Sequence, residues 1–312
     1  MKENLCIITG PTGIGKTSLS LKLAKKLNGE IVSCDSMQIY KYMDIGTAKI
    51  KHEEMEGITH HLIDIVYPDE EFTVSDFKSQ AKNLIKEINL RGKLPIIVGG
   101  TGLYINSLVY DLNFTRVAVD PKVRKKYEKI AKEEGLDYLH GLLEDVDPIS
   151  SKKININDKK RVIRALEIYD ITGKSMSEYN KDFRKENNEY NLAFIALNMD
   201  RKNLYERINK RVDLMIERGL LDEIKSILDK GYDPSSVALQ GIGYKELIMH
   251  LNGDLTLDES IDLIKQKSRN YAKRQLTWFR RDERIKWVDK DDFTDFACLE
   301  SFTRKYILDK IQ

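Results

Sequence analysis

Eight residues near the start of the chain, Gly10-Pro11-Thr12-Gly13-Ile14-Gly15-Lys16-Thr17, combine glycines, a lysine and a hydroxyl. They follow the apolar run Leu5-Cys6-Ile7-Ile8-Thr9 and open into the amphipathic run Ser18 to Leu27. Strand, glycine-rich loop and helix in that order form a phosphate cradle. Glycines let backbone N–H groups curl around an anion at the helix N-terminus, Lys16 adds charge, and the Thr17 hydroxyl can hold Mg²⁺. The chain is therefore expected to bind a di- or triphosphate through Gly10, Pro11, Thr12, Gly13, Ile14, Gly15, Lys16 and Thr17.

Two further clusters could meet a second reactant. Asp35-Ser36-Met37-Gln38 follows the apolar run Ile31 to Cys34, and Gly99-Gly100-Thr101-Gly102 follows Leu94 to Val98. A carboxylate beside bound phosphates can take a proton from an incoming nucleophile, which contributes roughly 10²–10⁴-fold in rate. Asp35 is a candidate base on that ground, although a strand-end turn residue would read the same way. Gln38 offers an amide of the kind that reads a base edge. Phosphate-loop ATPases show a second apolar strand ending in an acid. The strand entering Gly99-Gly100 has none, while Asp64 stays undecided and Asp200 reads better as a helix N-cap.

Clustered cations suggest a polyanion. Arg201, Arg207, Arg211 and Arg218 share one helical run, and Arg269 to Arg281 interleaves cations with Tyr271, Trp278 and Phe279. A second basic region comprises Lys122, Arg124, Lys125 and Lys126 with Lys159, Lys160, Arg161 and Arg164. Charge runs are usually solvated faces, so position has to select among them.

The elements that must place these groups follow from periodicity. Strands are expected at Leu5–Thr9, Glu30–Ser33, Leu94–Val98, Leu192–Leu197 and Ile285–Val288. Helices are expected at Thr17–Leu27, Ser75–Leu90, Arg201–Arg218, Leu221–Lys230, Lys245–Leu251 and Leu257–Arg280, with one more at the C-terminus. This predicts an α/β fold, a phosphate-loop NTPase-like parallel sheet flanked by helices, with ligands beyond the carboxyl ends of the strands. From residue 117 to 189 the texture turns charged and helical, with helices expected at Val123–Glu134, Leu136–Leu143 and Asp158–Ile171. The expected organisation is a core of residues 1–116 and 190–312 with an inserted all-helical lobe at 117–189.

Composition sets the remaining bounds. A chain of 312 residues that is 41% hydrophobic can bury a substantial core without staples. Lys and Arg total 52 against 50 for Asp and Glu, a net charge of +2, so nucleic-acid binding must come from local clusters. Cys6, Cys34 and Cys298 form no C-x-x-C pair, and His52, His60, His61, His140 and His250 lack metal-ligand spacing. No apolar stretch approaches the roughly 20 residues that cross a bilayer, and no leader segment is evident, so a cytoplasmic setting without membrane contact is expected. No heptad seam demands a dimer, and a monomer is expected.

Taken together, the segments resemble the tRNA dimethylallyltransferase (tRNA isopentenyltransferase) family. The resemblance runs through Gly10–Thr17, Asp35-Ser36-Met37-Gln38-Ile39-Tyr40, Gly46-Thr47-Ala48-Lys49, His60-His61-Leu62-Ile63-Asp64 and Gly99-Gly100-Thr101-Gly102-Leu103-Tyr104. It continues through Arg161-Val162-Ile163-Arg164-Ala165-Leu166-Glu167, Gly241-Ile242-Gly243-Tyr244-Lys245-Glu246, Tyr271-Ala272-Lys273-Arg274-Gln275 and Trp278-Phe279-Arg280. The chain departs from the family pattern at Asn155-Ile156-Asn157-Asp158, which lacks a histidine and a proline, and at Gly13-Ile14, where alanine and serine are common.

The resemblance implies transfer of a dimethylallyl group from dimethylallyl diphosphate to N6 of adenine 37 of tRNA, with Mg²⁺ as cofactor and Thr17 as its protein ligand. Lys16 and Arg211 would neutralise the diphosphate, Asp35 would accept the amine proton, and Thr101 would position the base or that carboxylate. The anticodon stem-loop would be the partner, its adenine flipped out and the arm clasped between core and lobe. The tRNA contacts implied are Asp35, Ser36, Met37, Gln38, Thr101, Arg124, Lys159, Lys160, Arg161, Val162, Ile163, Gln240, Gly241, Lys273 and Arg280. The residues alone leave open a phosphate-loop kinase and an RNA-binding NTPase. The acid missing from the third strand and the Asp35/Gln38 cluster count against both.

Overall fold

A computed structural model of the chain describes residues 2–112, 120–179 and 185–311. Six strands form one parallel sheet: β1 (Glu3–Thr9), β2 (Gly29–Cys34), β3 (His60–His61), β4 (Leu94–Gly99), β5 (Tyr190–Asn198) and β6 (Lys286–Asp289), in the order β3-β2-β4-β1-β5-β6. β1 and β2 therefore lie on either side of β4, and their carboxyl ends open side by side. β1 and β5 are buried over most of their length because helices cover the sheet, which is why they read as continuous apolar runs rather than as an alternation.

The helices are α1 (Lys16–Lys26), α2 (Val74–Leu90), α3 (Gly102–Val109), α4 (Pro121–Glu133), α5 (Gly135–Val146), α6 (Pro148–Ser151), α7 (Lys159–Thr172), α8 (Met176–Tyr179), α9 (Arg201–Glu217), α10 (Leu220–Asp229), α11 (Tyr244–Leu251), α12 (Leu257–Phe279) and α13 (Phe296–Ile311). Cys6 and Ile8 of β1 join Leu19 and Leu23 of α1 and Leu299 and Ile307 of α13 in one apolar cluster. A second cluster gathers Ile39, Tyr40 and Met43 with Val212, Leu220, Ile224, Tyr244, Leu247 and Ile264, and so fastens the segment after β2 to α9, α10, α11 and α12.

The chain divides into two compact units, Met1–Asn106 with Asn188–Gln312, and Ser107–Asn187. The second unit has its own core of Tyr127, Leu139, Leu143, Val162, Ile163, Ala165 and Leu166. It takes in the end of α3, so as a packing unit it starts before the change in sequence texture. The expected boundary at 116/117 lies outside the described residues.

Candidate active site

At the end of β1 the chain turns at Gly10 with φ 136, and a Cβ there would lie 2.6 Å from the Leu197 carbonyl oxygen. Only glycine lets the loop run this close to β5. Gly13 and Gly15 follow with φ 79 and 99, and α1 begins at Lys16 with no side chain capping its first N–H groups. Those donors and the positive end of the helix dipole suit an anion. Lys16 Nζ lies over the loop, donating to the carbonyls of Gly10 at 3.0 Å and Pro11 at 2.9 Å. Burial and the nearby Arg211 hold the Lys16 amine down to about 8, with Asp35 pulling the other way. The Thr17 side chain is exposed in the first turn of α1.

The second wall of the crevice comes from the ends of β2 and β4. A Cβ on Gly99 would fall 2.0 Å from the Cys34 carbonyl oxygen, so glycine is what lets the two strand ends close together. Thr101 N donates to that same Cys34 oxygen at 3.2 Å, and Thr101 Oγ1 accepts from Ser36 N at 3.1 Å. Asp35 sits between, its Oδ1 accepting from Met37 N at 2.9 Å. This bond orients the carboxylate and leaves its other oxygen free of that contact. Arg211 of α9 is held below the usual guanidinium range by burial, which the charge of Asp35 opposes, and its NH2 donates to the Thr47 carbonyl at 3.5 Å. Lys16, Asp35 and Arg211 thus form one electrostatic cluster.

The other expected base readers are partly drawn in. Gln38 is tied down, its Oε1 accepting from Ser33 Oγ at 3.1 Å and its Nε2 donating to the Thr47 carbonyl at 3.3 Å. Gly241 lies against Met37, whose Cε would be 2.6 Å from a Cβ at 241. Gln240 is exposed, its Nε2 donating to the Pro234 carbonyl at 2.9 Å. Lys273 and Arg280 are exposed at the end of α12.

A family model described as IPP transferase matches residues 38–282. The chain belongs to the IPP transferase family. It is 53% identical over 291 residues to the tRNA dimethylallyltransferase of Acetivibrio thermocellus, covering 93% of each chain. It is 54% identical over 307 residues to that of Carboxydothermus hydrogenoformans, covering 98% of this chain and 97% of the other. The crystal structure of the full-length tRNA isopentenylpyrophosphate transferase from Bacillus halodurans superposes with a TM-score of 0.75 at 47% identity, over 99% of this chain and 97% of that one. A eukaryotic dimethylallyltransferase acting on tRNA gives a TM-score of 0.81 at 32% identity, over 99% of this chain and 80% of that one.

Other motifs shared with the IPP transferase family turn out to carry structure. Glu223 accepts from the backbone N–H groups of Asp44, Ile45 and Gly46 at 2.9, 2.7 and 3.2 Å and from the Tyr244 hydroxyl at 2.6 Å. A Cβ on Gly46 would lie 2.5 Å from the Tyr244 ring, so the Gly46 and Gly241–Tyr244 motifs lock together. Asp64, undecided from sequence, pairs with Lys49 at 2.5 Å, and Asp200 caps α9. Among the described residues no group of three or more His, Cys, Asp or Glu side chains could hold a metal ion, and no helix is long and apolar enough to cross a membrane.

Two expected tRNA contacts need correction. Val162 and Ile163 are 0% and 4% exposed inside the core of the second unit, so their side chains cannot meet an RNA surface. Lys159, Lys160 and Arg161, on the first turn of the same helix, are exposed, with Arg161 Nε 3.5 Å from Asp158. Arg124 pairs with Glu167 at 3.3 Å.

Four crevice residues have no site role in the sequence analysis, although Arg207, Tyr271 and Gln275 lie in segments it names. Gln275 is buried on α12; its Oε1 accepts from Thr12 N and its Nε2 donates to the Gly100 carbonyl, both at 3.0 Å, joining the phosphate loop to the β4 loop. Tyr271, one turn earlier, faces Thr101 and Asp35, and burial and the Asp35 charge push its hydroxyl pKa up. Their i, i+4 spacing was available as a signal. Arg207 bonds the Gly13 carbonyl at 3.0 Å and shares a helix face with Arg211, while Lys290 bonds the Ile14 carbonyl at 3.0 Å from a turn with no local signal.

Proposed function

We propose that this chain transfers a dimethylallyl group from dimethylallyl diphosphate to the exocyclic N6 of adenine 37 in the anticodon stem-loop of tRNA. The observation that carries the reading is the placement of Asp35 and Thr101, at the ends of β2 and β4, beside the phosphate loop at the end of β1. In the reaction the adenine N6 forms a bond to C1 of the dimethylallyl group, and the C1–oxygen bond breaks. The electron pair leaves with the diphosphate, and one N6 proton is lost.

The residues divide the work accordingly. The uncapped N–H groups at the start of α1, with Lys16 and Arg211, bind the diphosphate and stabilise the charge that grows on it as the bond breaks. Asp35 takes the N6 proton, its carboxylate oriented by the Met37 N–H. Thr101 fixes the Ser36 backbone and thereby the turn that carries Asp35. Ser36, Met37, Gln38, Gln240 and Gly241 form the surface on which neighbouring bases are read, and the adenine reaches it by leaving its stack. Lys159, Lys160, Arg161, Lys273 and Arg280 supply phosphate contacts.

The donor set also fits Mg²⁺. Thr17 offers one exposed hydroxyl, and among the described residues no group of three or more acidic, histidine or cysteine side chains could cage an ion, which suits a hard cation that keeps most of its ligands as phosphate oxygens and water. When bound there, the ion would supply charge neutralisation at the diphosphate.

Incubating the protein with unmodified tRNA and either dimethylallyl diphosphate or ATP, then weighing the nuclease-digested RNA, tests the reading. It predicts one added dimethylallyl group on adenosine 37 with the first donor and no change with the second. A phosphorylated product, or an unmodified tRNA with the allylic donor, would overturn it.

A further inference from the structure

The apex of the phosphate loop, Gly13-Ile14-Gly15, is held from outside by two cations. Ile14 is fully buried in the same apolar cluster as Ile208 of α9, and a Cβ on Gly13 would lie 3.2 Å from Ile208 Cγ1. The helix thus packs directly on the apex. Arg207, one residue before Ile208, donates from Nε to the Gly13 carbonyl at 3.0 Å. Lys290 donates from Nζ to the next carbonyl, that of Ile14, also at 3.0 Å.

Lys290 stands on a built platform. It opens a single 3₁₀ turn, Lys290–Asp292, capped by Asp289, which accepts from Asp291 N at 3.1 Å. Asn198 Nδ2, at the end of β5, donates to Asp289 Oδ2 at 2.8 Å, and Asp200 N donates to Asp291 Oδ2 at 2.6 Å. Three bonds therefore fix the segment that delivers one ammonium to one carbonyl.

The consequence follows from peptide geometry. A trans peptide unit is planar, and its C=O and the following N–H point in opposite directions. Pinning the Gly13 and Ile14 carbonyls outward turns the N–H groups of Ile14 and Gly15 the other way, toward the hollow of the loop. Gly13, with φ 79, has no side chain of its own to enforce this.

We propose that Arg207 and Lys290 are positioning residues that preorganise the backbone donors of the phosphate loop for the diphosphate and add their charge to its rim. This rests on the diphosphate reading above. The Lys290 Nζ and Arg207 NH2 lie 3.2 and 3.8 Å from where a Gly15 Cβ would be, close enough to repel each other. Burial and Arg207 both lower the Lys290 pKa, against Asp291. Their bonds to neutral carbonyls do not cancel either charge, which acts on the loop from its outer side.

The test uses Arg207→Gln, Lys290→Gln, the double variant and Lys290→Arg, which keeps a charged donor. Binding of inorganic diphosphate is followed by calorimetry, alongside KM for dimethylallyl diphosphate, KM for tRNA and kcat. Each glutamine variant should raise the diphosphate Kd and the KM for dimethylallyl diphosphate by about tenfold, the size expected for one charge-assisted hydrogen bond. The KM for tRNA should stay put, and Lys290→Arg should recover most of the loss. Diphosphate binding within twofold of wild type in both single variants, or a change in the KM for tRNA alone, would overturn the inference. If the wild-type protein itself fails to bind diphosphate, the functional reading falls first and takes this inference with it.

Discussion

In the crevice, Lys16, Arg207, Arg211 and Lys290 donate to backbone carbonyls: Gly10 and Pro11, Gly13, Thr47 and Ile14. In the helical unit, Arg124 and Arg164 converge at 3.3 and 2.7 Å on Glu167, whose side chain is 0% exposed, and Lys126 meets Asp170 at 2.8 Å. A carbonyl dipole steers a cation without cancelling its charge, whereas a carboxylate cancels it. The crevice therefore holds positive charge ready for an anion. Part of the positive charge of the helical unit instead fastens that unit's own helices, and Lys159, Lys160 and Arg161 are cations of α7 that face solvent. Counting cations cannot tell these uses apart.

The contrast breaks first at Glu167. Glu167→Ala removes the acceptor shared by Arg124, Arg164 and the Asp120 N–H. Loss of a buried carboxylate of this kind should destabilise the helical unit by about 3 kcal/mol. Hydrogen exchange should accelerate across residues 120–179, while the protection of β1, β4 and β5 stays unchanged.

A smaller effect is expected from Glu30, a carboxylate of the core unit that gathers three basic side chains. Glu30, at the opposite end of β2 from Asp35, accepts from His61, Arg91 and Lys93 at 2.8, 2.7 and 3.0 Å. Burial alone would raise its pKa, but the bonds from His61, Lys93 and Arg91 outweigh it and hold the carboxyl at about 2. Because the folded value lies below the unfolded one, this stabilisation is complete above about pH 4.5 and fades as pH falls toward 2. Glu30→Gln should cost on the order of 2 kcal/mol at neutral pH, a figure discounted for the half-exposed Arg91 and Lys93. It should also flatten the acid limb of stability in denaturant titrations run from pH 6 to pH 2.

The smallest effect belongs to the solvent-facing charges of the helical unit. Lys160→Gln should leave folding and diphosphate use intact and reduce the log–log slope of tRNA affinity against salt by about one unit. Gln38→Ala should not change that slope. An unchanged slope for Lys160→Gln would assign that lysine to the solvated surface.

The same contrast explains what was legible in the sequence. The phosphate loop announces itself because glycines, lysine and hydroxyl act through the local backbone, and the strands read as apolar runs because both faces are buried. Helix α3 was missed: Gly102 to Val109 is short, starts at glycine, and its apolar run has no helical period to distinguish it from a strand. Strand β3 is only two residues long and owes its place to pairing with β2. Val162 and Ile163 share a motif with exposed cations, yet helical periodicity turns them inward. Lys290 acts on a loop 276 residues away, a placement that only the order β1-β5-β6 creates.

The central claim is that the carboxylate at the end of β2 does chemistry on what the phosphate loop binds. Its most direct test is single-turnover transfer by Asp35→Asn, with tRNA and dimethylallyl diphosphate both saturating. The account predicts near-normal affinity for both substrates and a transfer rate lower by roughly 10²–10⁴-fold. A full transfer rate with unchanged pH dependence would contradict it.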